Sequence, residues 1–139
     1  MIIEAIKICE KLNLHQPVAE QCQYNALIRE RFEQEYRVLF EKYGYGTTTW
    51  SPLAQGVLTG KFNDGKIAEG SRFDKNQSSK DFVWQWYFSD DKKENTLRMI
   101  NKLAEAAQEL GYTQAQVALA WGIASGDVSS QLLGFSRLE

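Results

Sequence analysis

Helical and extended patterns alternate along this chain, which restricts it to folds built on parallel strands joined by helical crossovers. Apolar Ile2, Ile6, Cys9 and Leu12 recur at helical spacing, with Asn13 as the stop signal. Residues 18–21, after Pro17, read as a short strand. Phe32, Tyr36, Leu39 and Phe40 predict a second amphipathic helix closed by Gly44. Residues 46–50 are the next strand. Leu97, Ile100, Leu103, Ala104, Ala107 and Leu110 predict a third helix ending at Gly111. Thr113 followed three residues later by Gln116 is a capping box, opening a fourth helix through Val117, Ala120, Trp121 and Ala124. Residues 130–134 predict the last strand. The stretch 62–91 is polar and irregular and reads as a long loop. Its aromatics, Phe82, Trp84, Trp86, Tyr87 and Phe88, are expected to pin it to the body rather than to bind a ligand.

The junction after the second strand carries the clearest chemistry. A β-rich run, Thr47-Thr48-Thr49-Trp50, stops at Ser51-Pro52 and enters the small-residue segment Leu53-Ala54-Gln55-Gly56-Val57-Leu58-Thr59-Gly60-Lys61. Glycines let backbone N–H groups approach a ligand closely, and lysine supplies a point charge for phosphate. A dinucleotide pyrophosphate beside the C-terminal end of a strand fits that pattern. Other candidates also lie at strand ends. The Gln21 amide can donate and accept at once, matching a carboxamide. Trp50 offers a flat face for a planar ring. Lys61 and Arg72 flank the long loop and could neutralise phosphate oxygens, and Ser136 and Arg137 repeat the pattern after the last strand. Gln21 could equally pack between helices, Trp50 sit in the core, and the cations lie on the surface.

Bulk properties remove several alternatives. The 139 residues suit one domain with a real core, and a net charge of −2 gives no electrostatic case for nucleic acid or an anionic membrane. No apolar run approaches the ~20 residues of a membrane span, and the first residues do not resemble a signal peptide. The two cysteines, Cys9 and Cys22, lack CxxC spacing and predict reduced thiols in a cytoplasmic setting. Gly56 to Lys61 is one residue short of a P-loop and has Phe62 where a hydroxyl should ligate Mg²⁺. Gly44-Tyr45-Gly46 follows a helix and lacks the third glycine of a dinucleotide fingerprint. The single histidine, His15, makes neither a zinc site nor a triad. No catalytic set and no metal site is nominated.

In order and spacing, the loop through Lys61-Phe62, the earlier Glu20-Gln21-Cys22-Gln23-Tyr24, the helical Ala115-Gln116-Val117-Ala118-Leu119-Ala120-Trp121 and the closing Leu132-Leu133-Gly134-Phe135-Ser136 resemble the aldo-keto reductase superfamily. Among its branches the chain is most similar to the β subunits of voltage-gated potassium channels and their bacterial relatives. The resemblance implies an α/β fold: the C-terminal portion of a (β/α)8 TIM barrel, about three of its eight strands, with residues 1–139 forming one incomplete domain. It implies a nicotinamide contact at Gln21, ring stacking at Trp50, and a pyrophosphate loop of Ser51, Pro52, Leu53, Ala54 and Gln55 with Lys61 as its cation. Arg72 and Ser136 fall on positions near the 2′-phosphate and adenosine, which implies NADP(H), and Gly134, Phe135 and Arg137 are expected among the cofactor-binding residues of the same closing loop.

The same resemblance places the family's catalytic Tyr, Asp, Lys and His on strands before this sequence begins, so no catalytic residue is expected here. Gly70 stands where the channel subunits carry an aromatic, and Gln55 replaces their cysteine. The chain also ends before the Gln, Glu and Asn that complete adenine binding. The expected roles are the NADP(H)-binding portion of a carbonyl reductase, a channel β-type accessory subunit, or an inactive structural component of a larger assembly. Partners to match are a small carbonyl substrate, a channel or large complex, and an oligomeric mate or missing N-terminal half. Nucleic acid and direct membrane insertion are not expected.

Overall fold

The computed structural model describes residues 1–75 and 77–135, side chains at 75 and 77–81 excepted. They fall into two compact units, residues 1–52 with 122–135, and the described residues of Leu53–Trp121.

In the first unit, α1 (Ile2–Leu12) ends as expected at Asn13, which takes the left-handed conformation (φ 52°, ψ 45°) and donates its N–H to the carbonyls of Cys9 and Glu10. Asparagine tolerates that conformation better than most residues. The short β1 (Ala19–Glu20) leads to β2 (Gly46–Trp50), and β3 (Ser130–Leu132) follows late in the chain. β2 lies between the other two and pairs parallel with both: Ala19 faces Gly46, Glu20 faces Thr47, Thr49 faces Gln131 and Trp50 faces Leu132. Three parallel strands with helices between them are the expected part of a (β/α)8 barrel, and the sheet is not closed. β1 and β3 are shorter than predicted: the ladder to β2 covers only Ala19 and Glu20 on one side and stops at Leu132 on the other, leaving residues 133 and 134 beyond it.

The predicted second helix is two pieces. Residues Arg31–Glu35 form a π-helical turn, with the Tyr36 N–H reaching the Arg31 carbonyl at 3.0 Å, and α2 (Arg37–Tyr43) follows, closed by left-handed Gly44. In that turn Phe32 is buried and stacks on Tyr24 at 4.0 Å while meeting Phe40 at 5.0 Å. Ile6, Leu39 and Tyr45 form the buried cluster between α1, α2 and the strand entry.

The face of β2 carrying Thr47 and Thr49 is fully buried. The Thr47 hydroxyl donates to the Asp127 carbonyl at 2.5 Å. Thr49 Oγ1 and both amide atoms of its neighbour Gln131 are buried without a hydrogen-bond partner among the described residues. Gln131 also lies so close to Gly122 that a Cβ there would sit 2.0 Å from its Nε2. Desolvating an unpaired amide costs free energy that an aliphatic side chain of similar volume avoids. Gln131→Leu is therefore expected to stabilise the protein by about 1–2 kcal/mol, read as a raised urea midpoint at unchanged slope.

The second unit begins with two tight turns over Ala54–Thr59, separated by a kink at Gln55 and Gly56. The stretch read as a long loop is instead largely helical: α3 (Arg72–Lys75) and α4 (Gln77–Phe88) occupy it. The reason lies in aromatic pairs four residues apart on one helix, Trp84 stacked on Phe88 at 4.1 Å and Phe82 edge-on to Trp86 at 5.0 Å. Phe62, Phe73 and Trp84 meet edge to face at 5.3–5.6 Å, so the aromatics do hold this segment down.

α5 (Lys93–Leu110) ends at left-handed Gly111, with the Tyr112 N–H returning to the Ala107 carbonyl. Its Thr96 hydroxyl donates to the Tyr87 carbonyl at 2.7 Å. The Thr113–Gln116 capping box forms as expected before α6 (Gln114–Ile123): the Gln116 N–H donates to Thr113 Oγ1 at 3.2 Å and the Thr113 N–H to Gln116 Oε1 at 2.9 Å.

Candidate functional site

The first unit carries a cleft of about 860 Å3 at the C-terminal ends of β1 and β2. Gln21 and Trp50 both line it, with Cys22, Gln23 and the segment that includes Arg29, Arg31, Glu33 and Glu35. Gln21 is exposed and Trp50 half-buried. The cleft exists because β1 does not stop cleanly: the Trp50 N–H donates to the Cys22 carbonyl at 2.9 Å, and Gln23 bridges to Trp50. The chain then turns at Asn25, whose Oδ1 accepts from the N–H groups of Leu27 and Ile28, both at 3.0 Å.

One wall is an ionic network. Arg29 clasps Glu33 through two bonds of 2.8 and 2.9 Å, and the buried Tyr24 hydroxyl donates to the same carboxylate at 3.0 Å. The Arg29 bond holds the Glu33 carboxyl below the usual range, and Glu33 in turn raises Arg29. Burial, then the Glu33 carboxylate, pushes Tyr24 up to about 12. Burial and the Glu20 charge push Cys22 up to about 11. Both therefore keep their protons at neutral pH, and Cys22 packs as a small apolar group. Cys9 and Cys22 are free thiols, as expected.

The other candidates show a second kind of geometry. Ser51 has φ 55°, although it is not glycine and precedes Pro52. In the second unit Leu53 (φ −96°, ψ 14°) is followed by three left-handed residues, Ala54 at 50°, Gln55 at 59° and Gly56 at 102°. Such a change of hand turns successive N–H groups toward one concave side, a form suited to an anion. In this loop Ala54, Val57 and Leu58 are buried, the Thr59 hydroxyl donates to the Gly56 carbonyl at 2.7 Å, and a Cβ on Gly56 would come within 3.7 Å of the Phe62 ring. Arg72 donates from its guanidinium to Gln55 Oε1, an interaction with no signal in the sequence. Lys61 is exposed, and a Cβ on Gly70 would meet open space.

Gly134 and Phe135 are exposed after β3, whereas Ser136 and Arg137 lie outside the described residues. His15 is exposed, and no cluster of metal-binding side chains occurs among the described residues. No described helix is long and apolar enough to cross a membrane.

Residues 2–139 match the aldo/keto reductase family. The chain belongs to that family. Within it, this family member is 40% identical over 140 residues to a probable voltage-gated potassium channel subunit beta from Oryza sativa, covering 98% of the chain and 40% of the relative. It is 42% identical over 138 residues to a putative voltage-gated potassium channel subunit beta from Schizosaccharomyces pombe, covering 99% of the chain and 39% of the relative. An Arabidopsis thaliana probable voltage-gated potassium channel subunit beta is 40% identical over 140 residues, covering 98% of the chain and 40% of the relative. The chain thus spans about two fifths of the length of the curated relatives it matches.

Proposed function

We propose that this aldo/keto reductase family member is the NADP(H)-binding, C-terminal part of a carbonyl-reducing domain acting in the cytoplasm. The observation that carries the reading is the pairing of Gln21 and Trp50 on one cleft at the ends of adjacent parallel strands. An exposed carboxamide beside an indole face suits a planar ring bearing an amide. In the first unit Gln21 would hold the carboxamide, Trp50 would limit ring tilt, and Ser51 and Pro52 would begin the phosphate contacts. In the second unit Leu53, Ala54 and Gln55 would offer backbone N–H groups to the pyrophosphate with Lys61 as its cation, and Arg72 would face the 2′-phosphate. Gly134, Phe135, Ser136 and Arg137 are assigned to the adenosine side.

The bound coenzyme would supply hydride to a small-molecule carbonyl. We assign this chain's residues to binding and orienting the coenzyme, and no catalytic residue is assigned within the chain. Titration of the protein with NADPH and NADH, followed by nucleotide fluorescence, tests the reading. Gln21→Leu is expected to weaken both by about tenfold, the value of one good hydrogen bond. Arg72→Glu is expected to weaken NADPH by about tenfold or more while sparing NADH, as loss of a charge-assisted phosphate contact requires. An unchanged preference between the two nucleotides would remove Arg72 from the site.

The names of the relatives favour a second reading, an accessory subunit of a channel or other large assembly in which the nucleotide serves as a redox signal. Co-purification with the cytoplasmic domain of a channel would support it, and a protein that elutes alone under the same conditions would count against it.

A further inference from the structure

Asn25 is one of the least exposed polar side chains among the described residues, at 1%, and the cleft's lining residues do not include it. Its Oδ1 accepts from the N–H groups of Leu27 and Ile28, its backbone pairs with Ile28 in both directions, and its Nδ2 donates to the Ser51 carbonyl at 2.9 Å. The last of these bonds joins the turn after β1 to the residue leaving β2, 26 positions away.

Ser51 needs such a bond. A side-chain-bearing residue pays for the left-handed conformation, and the residue before a proline is pressed toward extended backbone. Ser51 meets both conditions at φ 55° with Pro52 next. Released, it would move to the extended region, and the peptide that carries Trp50 into the cleft would turn with it.

We propose that Asn25 is a positioning residue for the nucleotide site: its Nδ2 latches the Ser51 carbonyl, fixes the left-handed kink and thereby sets the Trp50 ring in the cleft. The proposal rests on the nucleotide-binding reading above, but the latch itself can be tested without nucleotide.

Asn25→Asp separates the two halves of the side chain. It keeps an acceptor for Leu27 and Ile28 but sets an acceptor oxygen against the Ser51 carbonyl, unless the carboxyl is protonated and donates. The first measurement is the backbone carbon chemical shifts of Ser51 in the unaltered protein and in N25D and N25A. Left-handed values are expected in the unaltered protein and extended values in N25A. N25D should be extended at pH 8 and return toward left-handed at pH 5. Extended values in the unaltered protein, or left-handed values kept in the variants, would overturn the latch.

The second measurement is NADP+ affinity by calorimetry over the same pH range. N25D is expected to bind about tenfold more weakly at pH 8, as loss of one hydrogen bond implies, and to recover toward the unaltered protein at pH 5. A loss independent of pH, or no loss, would overturn the positioning role. Should the unaltered protein bind no NADP+ while the Ser51 shifts behave as expected, the nucleotide reading fails and the latch stands. Should either variant fail to fold, the shifts of the unaltered protein still decide whether the kink exists.

Discussion

Phe62→Ala is expected to destabilise the protein by about 3–5 kcal/mol, the usual cost of emptying a fully buried aromatic site. Phe62 is 1% exposed and meets two rings edge to face, Phe73 at 5.3 Å and Trp84 at 5.6 Å, which are themselves 5.3 Å apart. Each such pair adds about 0.5–1.5 kcal/mol beyond simple burial, and one substitution breaks two of the three. Phe73 and Trp84 belong to separate helices, α3 and α4, so filling the cavity would require both to shift. A urea titration followed by tryptophan emission measures the loss, with Phe82→Ala as the control. Phe82 is 65% exposed and touches Trp86 alone among the described ring pairs, so its removal should cost less than about 1 kcal/mol. Equal losses from the two variants would mean that the three-ring cluster does not form.

The second large effect is alkaline. Cys22 and Tyr24 are both almost fully buried, and burial lifts their pKa values from 9.0 to about 11 and from 10.0 to about 12. The folded state therefore holds these protons more tightly than the unfolded chain. Their contribution is complete below pH 9 and is lost as pH rises through 11 and 12, because the unfolded chain ionises first. Displacements of this size correspond to a loss on the order of 2–3 kcal/mol for each group. Urea midpoints are expected to fall steeply between pH 9 and pH 12. Tyr24→Phe should start lower at pH 8, having lost the bond to Glu33, and then fall less over the same interval. Parallel curves for the two proteins would exclude Tyr24 as a source of the alkaline loss.

Much of the backbone plan was legible because its punctuation is local. Asn13, Gly44 and Gly111 end helices through a left-handed residue, and Thr113 with Gln116 opens one; each signal lies within a few positions of its effect. β2 could be placed because its threonines alternate between buried and half-buried positions. α4 was not legible, since its pattern is aromatic spacing rather than an aliphatic stripe, and its polar first turn hides the period. The π-helical turn at Arg31–Glu35 has no sequence signature either: what accompanies it is the stacking of Phe32 on Tyr24 across eight positions.

The candidate site divides in the same way. Gln21 and Trp50 could be proposed from their places at strand ends, and they do share a cleft. Asn25 and the Gln55–Arg72 bond could not, because each depends on a conformation, left-handed Ser51 or left-handed Gln55, that serine and glutamine do not advertise.

The cluster of positive φ angles at Ser51, Ala54, Gln55, Gly56 and Gly60 bears on how this stretch can drift. Branching at the β-carbon is penalised there by the chirality of the peptide unit itself, whatever the loop touches. Valine, isoleucine and threonine are thereby barred from Ser51, Ala54 and Gln55 before any ligand exerts selection. A narrow mutational spectrum across these positions would record backbone handedness first and molecular recognition second.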